Sequence, residues 1–550
     1  MMSRRLLVSG AGAVFSLVLA PQAHAQCYVD SQAGNDSNDG LSEASPVASQ
    51  AAIPSGCTEV RYKRGSVFNE AVRIAQGVVT YTNYGDAGDL PRFVVPHTTN
   101  SGPLVSAYRG GIVIDGLYLE GSKGDGTMAG LVQGVCVSIG GGSQVLNSEI
   151  ANCDIGMMLH GEGSLVQNNY FHDMTTAVDA ELGSVDPNAV GGGNGIFIHG
   201  SNNEVAYNSF VRCADVAEWT ESPCDGGATE ITVGSGATVT GVKIHHNYSY
   251  QSCGFLEVAS MAGETGRFED SEFYYNVHVD GGWLMLLQVN NTEMSNIRFE
   301  NNTVVQHPDS YNAGMVTTIF DGFSSGTSGG SLDPGEVLMT NNLIILDGVT
   351  SFGDVIASAI TQSSNLVINT ANQEPGVVNV AGTAAADFDL IAGSPAIDAG
   401  EPTSHVLDFL NRQVPAASGV PDVGAFEYGA TTDTERPEVP ETGSGGASAS
   451  GGTPSSGGTP SSGGASGGPV SSAGAPVSIG ASGSAATGSG GAAGEPGASA
   501  ESPSPAEGGC SCAVPGGKQR SPWYLAVLGL AVAALGRRRR LYSPSWRQRT

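Results

Sequence analysis

Leu165-Val-Gln-Asn-Asn169-Tyr-Phe171, Glu204-Val-Ala-Tyr-Asn208-Ser-Phe210 and Lys243-Ile-His-His-Asn247-Tyr-Ser249 are variants of one short phrase. It occurs earlier as Gln144-Val-Leu-Asn-Ser148-Glu-Ile150. It returns later as Glu272-Phe-Tyr-Tyr-Asn276-Val-His278, Arg298-Phe-Glu-Asn-Asn302-Thr-Val304 and Leu338-Met-Thr-Asn-Asn342-Leu-Ile344. Each copy is a β-rich run bent at a polar residue, and successive bends lie 21, 39, 39, 29, 26 and 40 residues apart. Periods in the twenties with Asn and Gly at the bends predict a solenoid, the longer intervals holding one coil plus an inserted loop. Strands this short cannot bury an inner face alone, so stacked coils must close a continuous core of Val, Ile, Leu and Phe. The expected fold is all-β, a single-stranded right-handed parallel β-helix with N- and C-terminal caps. Asn suits the bend because it tolerates left-handed backbone, and stacked Asn side chains bond to those above and below.

Aligning the coils on that Asn column places Val166, Val205, Ile244, Phe273 and Phe299 three residues earlier, pointing inward. Their predecessors Leu165, Glu204, Lys243, Glu272 and Arg298 then point outward. From Glu204 on, the signs alternate, as a ladder of cross-coil charge pairs requires. Lys243 is therefore read as part of that ladder ahead of any catalytic role.

The chain has 550 residues, 80 of them glycine, and a net charge of −30. All 53 acidic groups lie between Gln26 and Gly509, against 13 basic ones, so this stretch carries −40. Such a body repels polyanions, which excludes nucleic acid as a partner. Residues 443–510 hold 21 glycines and the rest of the chain 59, about 12% against the usual ~7%. The excess in the folded part is expected at solenoid corners.

Both ends read as addresses. Residues 1–25 have Arg4 and Arg5, an apolar run from Leu6 to Ala20, and Ala23-His24-Ala25 as a cleavage site, the pattern of a signal peptide. Residues 431–509 are almost entirely Gly, Ser, Ala, Pro and Thr, a disordered spacer with a reach of about 50 Å. Residues 510–550 contain Cys510 and Cys512, a short hydrophobic helix from Trp523 to Gly536, and Arg537 to Arg540. Between them lie an N-terminal cap and first coil over 26–107, the β-helix over 108–380 and a closing module over 381–430.

The order of cysteine motif, hydrophobic helix and arginine cluster resembles the myxobacterial C-terminal sorting signal, which implies processing near Cys510 and retention at the cell surface. The run Cys27-Tyr-Val-Asp-Ser-Gln-Ala-Gly-Asn-Asp-Ser-Asn-Asp-Gly40, with Tyr81-Thr-Asn-Tyr-Gly-Asp86, resembles the opening of parallel β-helix proteins of the pectate-lyase-like superfamily. Asp387-Phe-Asp-Leu390, Ser394-Pro-Ala-Ile-Asp398, Arg412 and Asp422-Val-Gly-Ala-Phe-Glu427 resemble a closing module found before surface anchors in such proteins. That superfamily holds lyases, hydrolases, epimerases and adhesins, so the resemblance speaks for fold and location more than for chemistry.

Export permits disulfides. Cys27 with Cys57, Cys213 with Cys224, and Cys136 with Cys153 are the expected pairs, leaving Cys253 unpaired. Asn35 to Gly40 is read as turn-forming Asx residues, because an EF-hand register would need Glu where Pro46 stands.

Two insertions follow Phe171 and Phe210, at equivalent corners of successive coils. One contains Asp179, Glu181 and Asp186, and the other Asp215, Glu218, Trp219, Glu221 and Asp225. Asp179, Glu181, Asp186, Asp215 and Asp225 are candidate calcium ligands, and Trp219 is a candidate sugar-stacking platform. Inward Ile198, Ile231 and Val258 would put Glu230 and Glu257 outward, one above the other, beside His199 and His160. Such carboxylates can act as acid and base on a glycosidic bond, or hold calcium against a uronate. Glu230, Glu257 and His199 are thus candidate catalytic residues, with His160 and Trp219 binding substrate.

Two functions follow. One is an exported, surface-anchored monomer that acts on polysaccharide as a lyase or glycoside hydrolase. The other is a non-catalytic adhesin or glycan-binding stalk.

Overall fold

The structure, a computed structural model, describes residues 26–86, 88–95, 102–121, 133–174, 193–214, 226–234, 236–260, 266–288, 292–310, 317–320, 336–349, 360–415 and 419–431. The expected signal segment, both insertions with Trp219 and the five candidate calcium ligands, Cys224, and everything from 432 onward with Cys510 and Cys512 lie outside them. So does the expected C-terminal hydrophobic helix; no helix among the described residues is long and apolar enough to cross a membrane.

The fold is a right-handed parallel β-helix. Among the described residues three sheets of 13, 11 and 8 strands run along it, with every strand pair parallel and each inner strand bonded to its equivalents in the coils before and after. The first sheet begins at Gln26–Val29 and carries the predicted phrases; Leu165, Glu204, Lys243, Glu272 and Arg298 are register partners in turn. Val166, Val205, Ile244, Phe273 and Phe299 are fully buried beneath them, with Phe273 stacked on Phe299 at 4.7 Å. The second sheet holds Tyr170–Met174 and Ser209–Cys213, where Phe171 stacks on Phe210 at 5.1 Å. The third holds Cys153–Leu159, Asn194–Ile198, Thr229–Val233 and Gly254–Ser260.

Asn169, Asn208, Asn247, Asn276, Asn302 and Asn342 form a buried ladder between the first and second sheets, extended by Asn365. Asn169 Oδ1 accepts from the Ser148 N–H, and from Asn208 on each Oδ1 accepts from the backbone N–H and the Nδ2 of the Asn one coil earlier, as between Asn247 and Asn208 at 2.9 and 3.0 Å. Each Nδ2 also donates to the carbonyl of the inward residue one coil earlier, Asn247 to Val205 at 2.9 Å. The expectation that these Asn residues take the left-handed conformation is corrected. That conformation falls on the residue before: Asn168, Tyr207, His246, Tyr275, Asn301 and Asn341 have φ of 49–58°. The turn needs left-handed backbone at one position and an amide acceptor at the next, so a bulky Tyr or His is held at a φ it would avoid on its own.

The core is not wholly apolar. Ser249 and His278 continue the inward column of Ile150, Phe171 and Phe210, both fully buried, and neither imidazole nitrogen has a hydrogen-bond partner among the described residues. Burial pushes His278 down to about 4.

Residues 371–431 lie along the flank. Phe388, Leu390, Phe409 and Phe426 form a second core with Val277, Val279, Val305, Leu343 and Ile345, which face outward from the second sheet. Arg412 ties this module together, bonding Asp408 at 2.7 Å and Asp389 at 2.8 and 3.1 Å. The contact with the coils runs through Tyr207 Oη to Asn411 (2.8 Å), His405 stacked on Tyr274 at 3.7 Å, and His307, which bonds Asp280 at 2.6 Å and the Val380 carbonyl at 2.8 Å. The hydrogen bond to Asp280 pushes His307 up to about 9.

Disulfides join Cys27 to Cys57 and Cys136 to Cys153. The pairing of Cys213 with Cys224 is overturned: Cys213 is a free, buried thiol, and Cys253, expected unpaired, is disulfide-bonded to a partner outside the described residues. Sequence spacing favoured closing the loop on itself, whereas register buries Cys213 in the inner column below Met174. Asn35 and Asp39 accept from the backbone of Ser37 and Leu41, and Asp36 from Ala48 and Ser49, so this segment is a set of turns.

Three measurements test this account. Asn247→Ala strands the buried Asn208 N–H and should lower stability by about 1–3 kcal/mol, read as a shift of the denaturation midpoint. Alkylation of the unreduced chain should modify Cys213 only after unfolding, with Cys253 recovered in a cystine peptide. His278 binds its proton less readily folded than unfolded, so stability is complete above its ordinary value of 6.5 and falls as pH drops toward about 4, by at most roughly 3 kcal/mol; His278→Leu should flatten that acid limb.

Candidate functional site

On the third sheet, Ile198, Ile231 and Val258 are fully buried, and alternate residues face out. The register runs Ser138, Met158, Phe197, Glu230, Glu257 and Leu286, so the two carboxylates occupy neighbouring rungs. Adjacent rungs lie about 4.8 Å apart, close enough for each charge to disfavour the other. Glu230 is held by Asn194 Nδ2 at 3.4 Å and Thr232 Oγ1 at 3.3 Å.

Beside that column, two residues further along each strand, runs a row of rings. His160 and His199 stack at 5.5 Å with planes 8° apart, and Tyr108 meets His160 at 5.2 Å. Gly140 occupies the rung between Tyr108 and His160, and its lack of a side chain lets the two rings close over it. Ser138 Oγ bonds His160 Nε2 at 2.9 Å and fixes the ring. Phe197 lies parallel to His199 at 6.1 Å. Burial, aided by the charge His160 would carry, pushes His199 down to about 4, and burial also lowers His160. Both are therefore neutral at neutral pH.

The structure thus brings Glu230, Glu257, His199 and His160 onto one face. Lys243 is elsewhere: it is exposed on the outer face of the first sheet, between Glu204 and Glu272. Sequence reasoning missed Tyr108, Ser138, Asn194, Phe197 and Thr232. The pairs His160-Gly161 and His199-Gly200 recur at the 39-residue interval and could have marked the column. Tyr108 has no such signal, because its rung is joined to that of His160 only through the strand pairing. Among the described residues no group of three or more His, Cys, Asp or Glu is placed to hold a metal.

No family model matches the chain, and no curated protein matches its sequence. Among solved structures it is similar to pectate lyase Pel9A (15% identity over 73% of this chain and 96% of that one, TM-score 0.37). It is also similar to a rhamnogalacturonan lyase (14%, 74% and 97%, TM-score 0.32) and to GH136 lacto-N-biosidase from Eubacterium ramulus (14%, 54% and 66%, TM-score 0.30).

Proposed function

We propose that this chain is exported, retained at the cell surface through its C-terminal segment, and acts on polysaccharide at the outer face of the third sheet as a lyase or glycoside hydrolase. The observation that carries the reading is the pair Glu230 and Glu257 on adjacent rungs, beside an imidazole held neutral. Two carboxylates so close favour sharing one proton, which leaves one acid and one base within reach of the same bond. Neutral His199 is able to accept a proton at the pH where both roles are needed. Glu230, Glu257 and His199 are assigned to the chemistry and His160 to substrate binding. The signal segment supports export, and the spacer with its cysteine motif, apolar run and arginines supports anchorage. The strands that precede the two insertions, Tyr170–Met174 and Ser209–Cys213, are register partners, and the candidate calcium ligands beyond them lie outside the described residues.

A second reading, a glycan-binding stalk without catalysis, is favoured by one feature. Both oxygens of Glu230 already accept hydrogen bonds from the protein, as they would in a carboxylate kept for binding.

The test is incubation of the purified chain with uronate and neutral polysaccharides, with and without calcium, scoring new reducing ends and unsaturated products. Cleavage that falls by about 10²-fold or more in Glu230→Gln and Glu257→Gln is expected of the enzyme. Binding without new chain ends, unchanged by calcium, would leave only the stalk.

A further inference from the structure

We propose that the glycan recognised by this face is uncharged, and that its sugar rings lie along the solenoid axis on the platform of Tyr108, His160 and His199. The proposal rests on the glycan-face reading above and narrows its substrate class.

Charge carries the first half. Between residues 124 and 430 the chain has five Lys or Arg: Arg212, Lys243, Arg267, Arg298 and Arg412. None faces outward from the third sheet. Arg212 is bound to both oxygens of Asp173 at the end of a second-sheet strand. Lys243 and Arg298 stand in the first-sheet ladder, Arg267 pairs with Glu293 on the same sheet, and Arg412 is the centre of the flank module. Earlier in the chain, Arg109 follows Tyr108, and its guanidinium donates to the Val78 carbonyl; Lys123 lies outside the described residues. Among the described residues, the charged side chains in this column are Glu230 and Glu257, and both histidines beside them are uncharged at neutral pH. A carboxylated sugar needs a guanidinium, an ammonium or a metal to offset the cost of approaching two carboxylates. A neutral sugar needs none, because its hydroxyls can donate to those same carboxylates.

Ring geometry carries the second half. A pyranose offers an apolar C–H face and a polar rim, so it packs on ring faces that have acceptors alongside. Tyr108 is 56% exposed and His160 is exposed, so the row is open where it starts. It leads along the axis through His199 to the rung of Thr232, where the neighbouring column holds Glu230. If both halves hold, β-elimination is excluded, since it requires a proton acidified by a uronate carboxyl, and hydrolysis or binding remains.

The experiment is calorimetric titration of the full chain with neutral and uronate oligosaccharides of matched length, in chelator, at neutral pH and physiological salt. Neutral oligosaccharides should bind at least about tenfold more tightly than uronates. Tyr108→Ala and His160→Ala should each weaken neutral binding by roughly three- to tenfold, one ring contact apiece. Tyr108 is exposed, so its loss leaves the fold intact, and the circular dichroism of both variants checks this. Uronates binding more tightly than neutral sugars in chelator, with loss of that binding in Glu230→Gln, would overturn the proposal while leaving a glycan face in place. Neutral binding unchanged in both ring variants would overturn the platform. Failure of every oligosaccharide to bind would remove the glycan-face reading and this proposal with it.

Discussion

The buried asparagine ladder is the constraint on which the rest of this molecule depends. A backbone that turns between two sheets must leave an N–H and a carbonyl pointing into a space where no strand can pair them, and unpaired buried groups cost about 1–3 kcal/mol each. One Asn per coil satisfies a backbone N–H, a backbone carbonyl and the amide of the next Asn together. The bond network links each coil to the next, so a coil that slipped by one residue would break two rungs and turn its inward face to solvent. Tyr207, His246 and Tyr275 show the strength of this constraint: each is held in left-handed backbone that a bulky side chain disfavours by roughly 1–2 kcal/mol.

Fixed register at this corner propagates around the coil. Once Asn169 and Asn208 are stacked, Phe171 must lie under Phe210, and the third-sheet strands that follow are aligned to within the length of their loops. Glu230 and Glu257 become neighbours for that reason, although 27 residues separate them. The flank module then decides which outer faces stay available. It covers Val277, Val279, Val305, Leu343 and Ile345 on the second sheet, an apolar strip that would otherwise be an association surface, and its docking groups are spent on the first and second sheets.

How much of this was legible in the sequence follows from the range of each interaction. The ladder was visible because Asn in a β-rich run is uncommon and the phrase around it repeats; Asn365 was missed because Ser364, not Asn, Tyr or His, precedes it. Inward and outward parity on the third sheet was legible wherever Ile or Val alternates. The left-handed position was misplaced by one residue, since residue type alone points to Asn whereas hydrogen bonding needs its side chain as acceptor. The disulfide of Cys253 was illegible for a different reason: spacing constrains loop length but not which face a cysteine occupies, and Cys213 is turned inward. Polar intrusions such as Ser249 and His278 were hidden because they occupy positions that the pattern reserves for apolar residues.

The carboxylate pair remains the feature least explained by folding alone. At the adjacent-rung distance of about 4.8 Å and an effective dielectric near 20, two full charges repel by roughly 3 kcal/mol before solvent screening. The first sheet shows how the chain relieves such repulsion, by alternating Glu204, Lys243, Glu272 and Arg298. On the third sheet the alternation is absent, and its place is taken by Asn194 and Thr232 donating to Glu230 while the histidines alongside stay neutral. Neutral donors hold a carboxylate in position without cancelling its charge, so the face keeps its negative potential. A cation in the next rung would have been more stabilising and would have occupied the same oxygens. In this column the rung before Glu230 is Phe197 and the rung after Glu257 is Leu286, so the register of the sheet supplies acidity to this face where the first sheet supplies alternating charge.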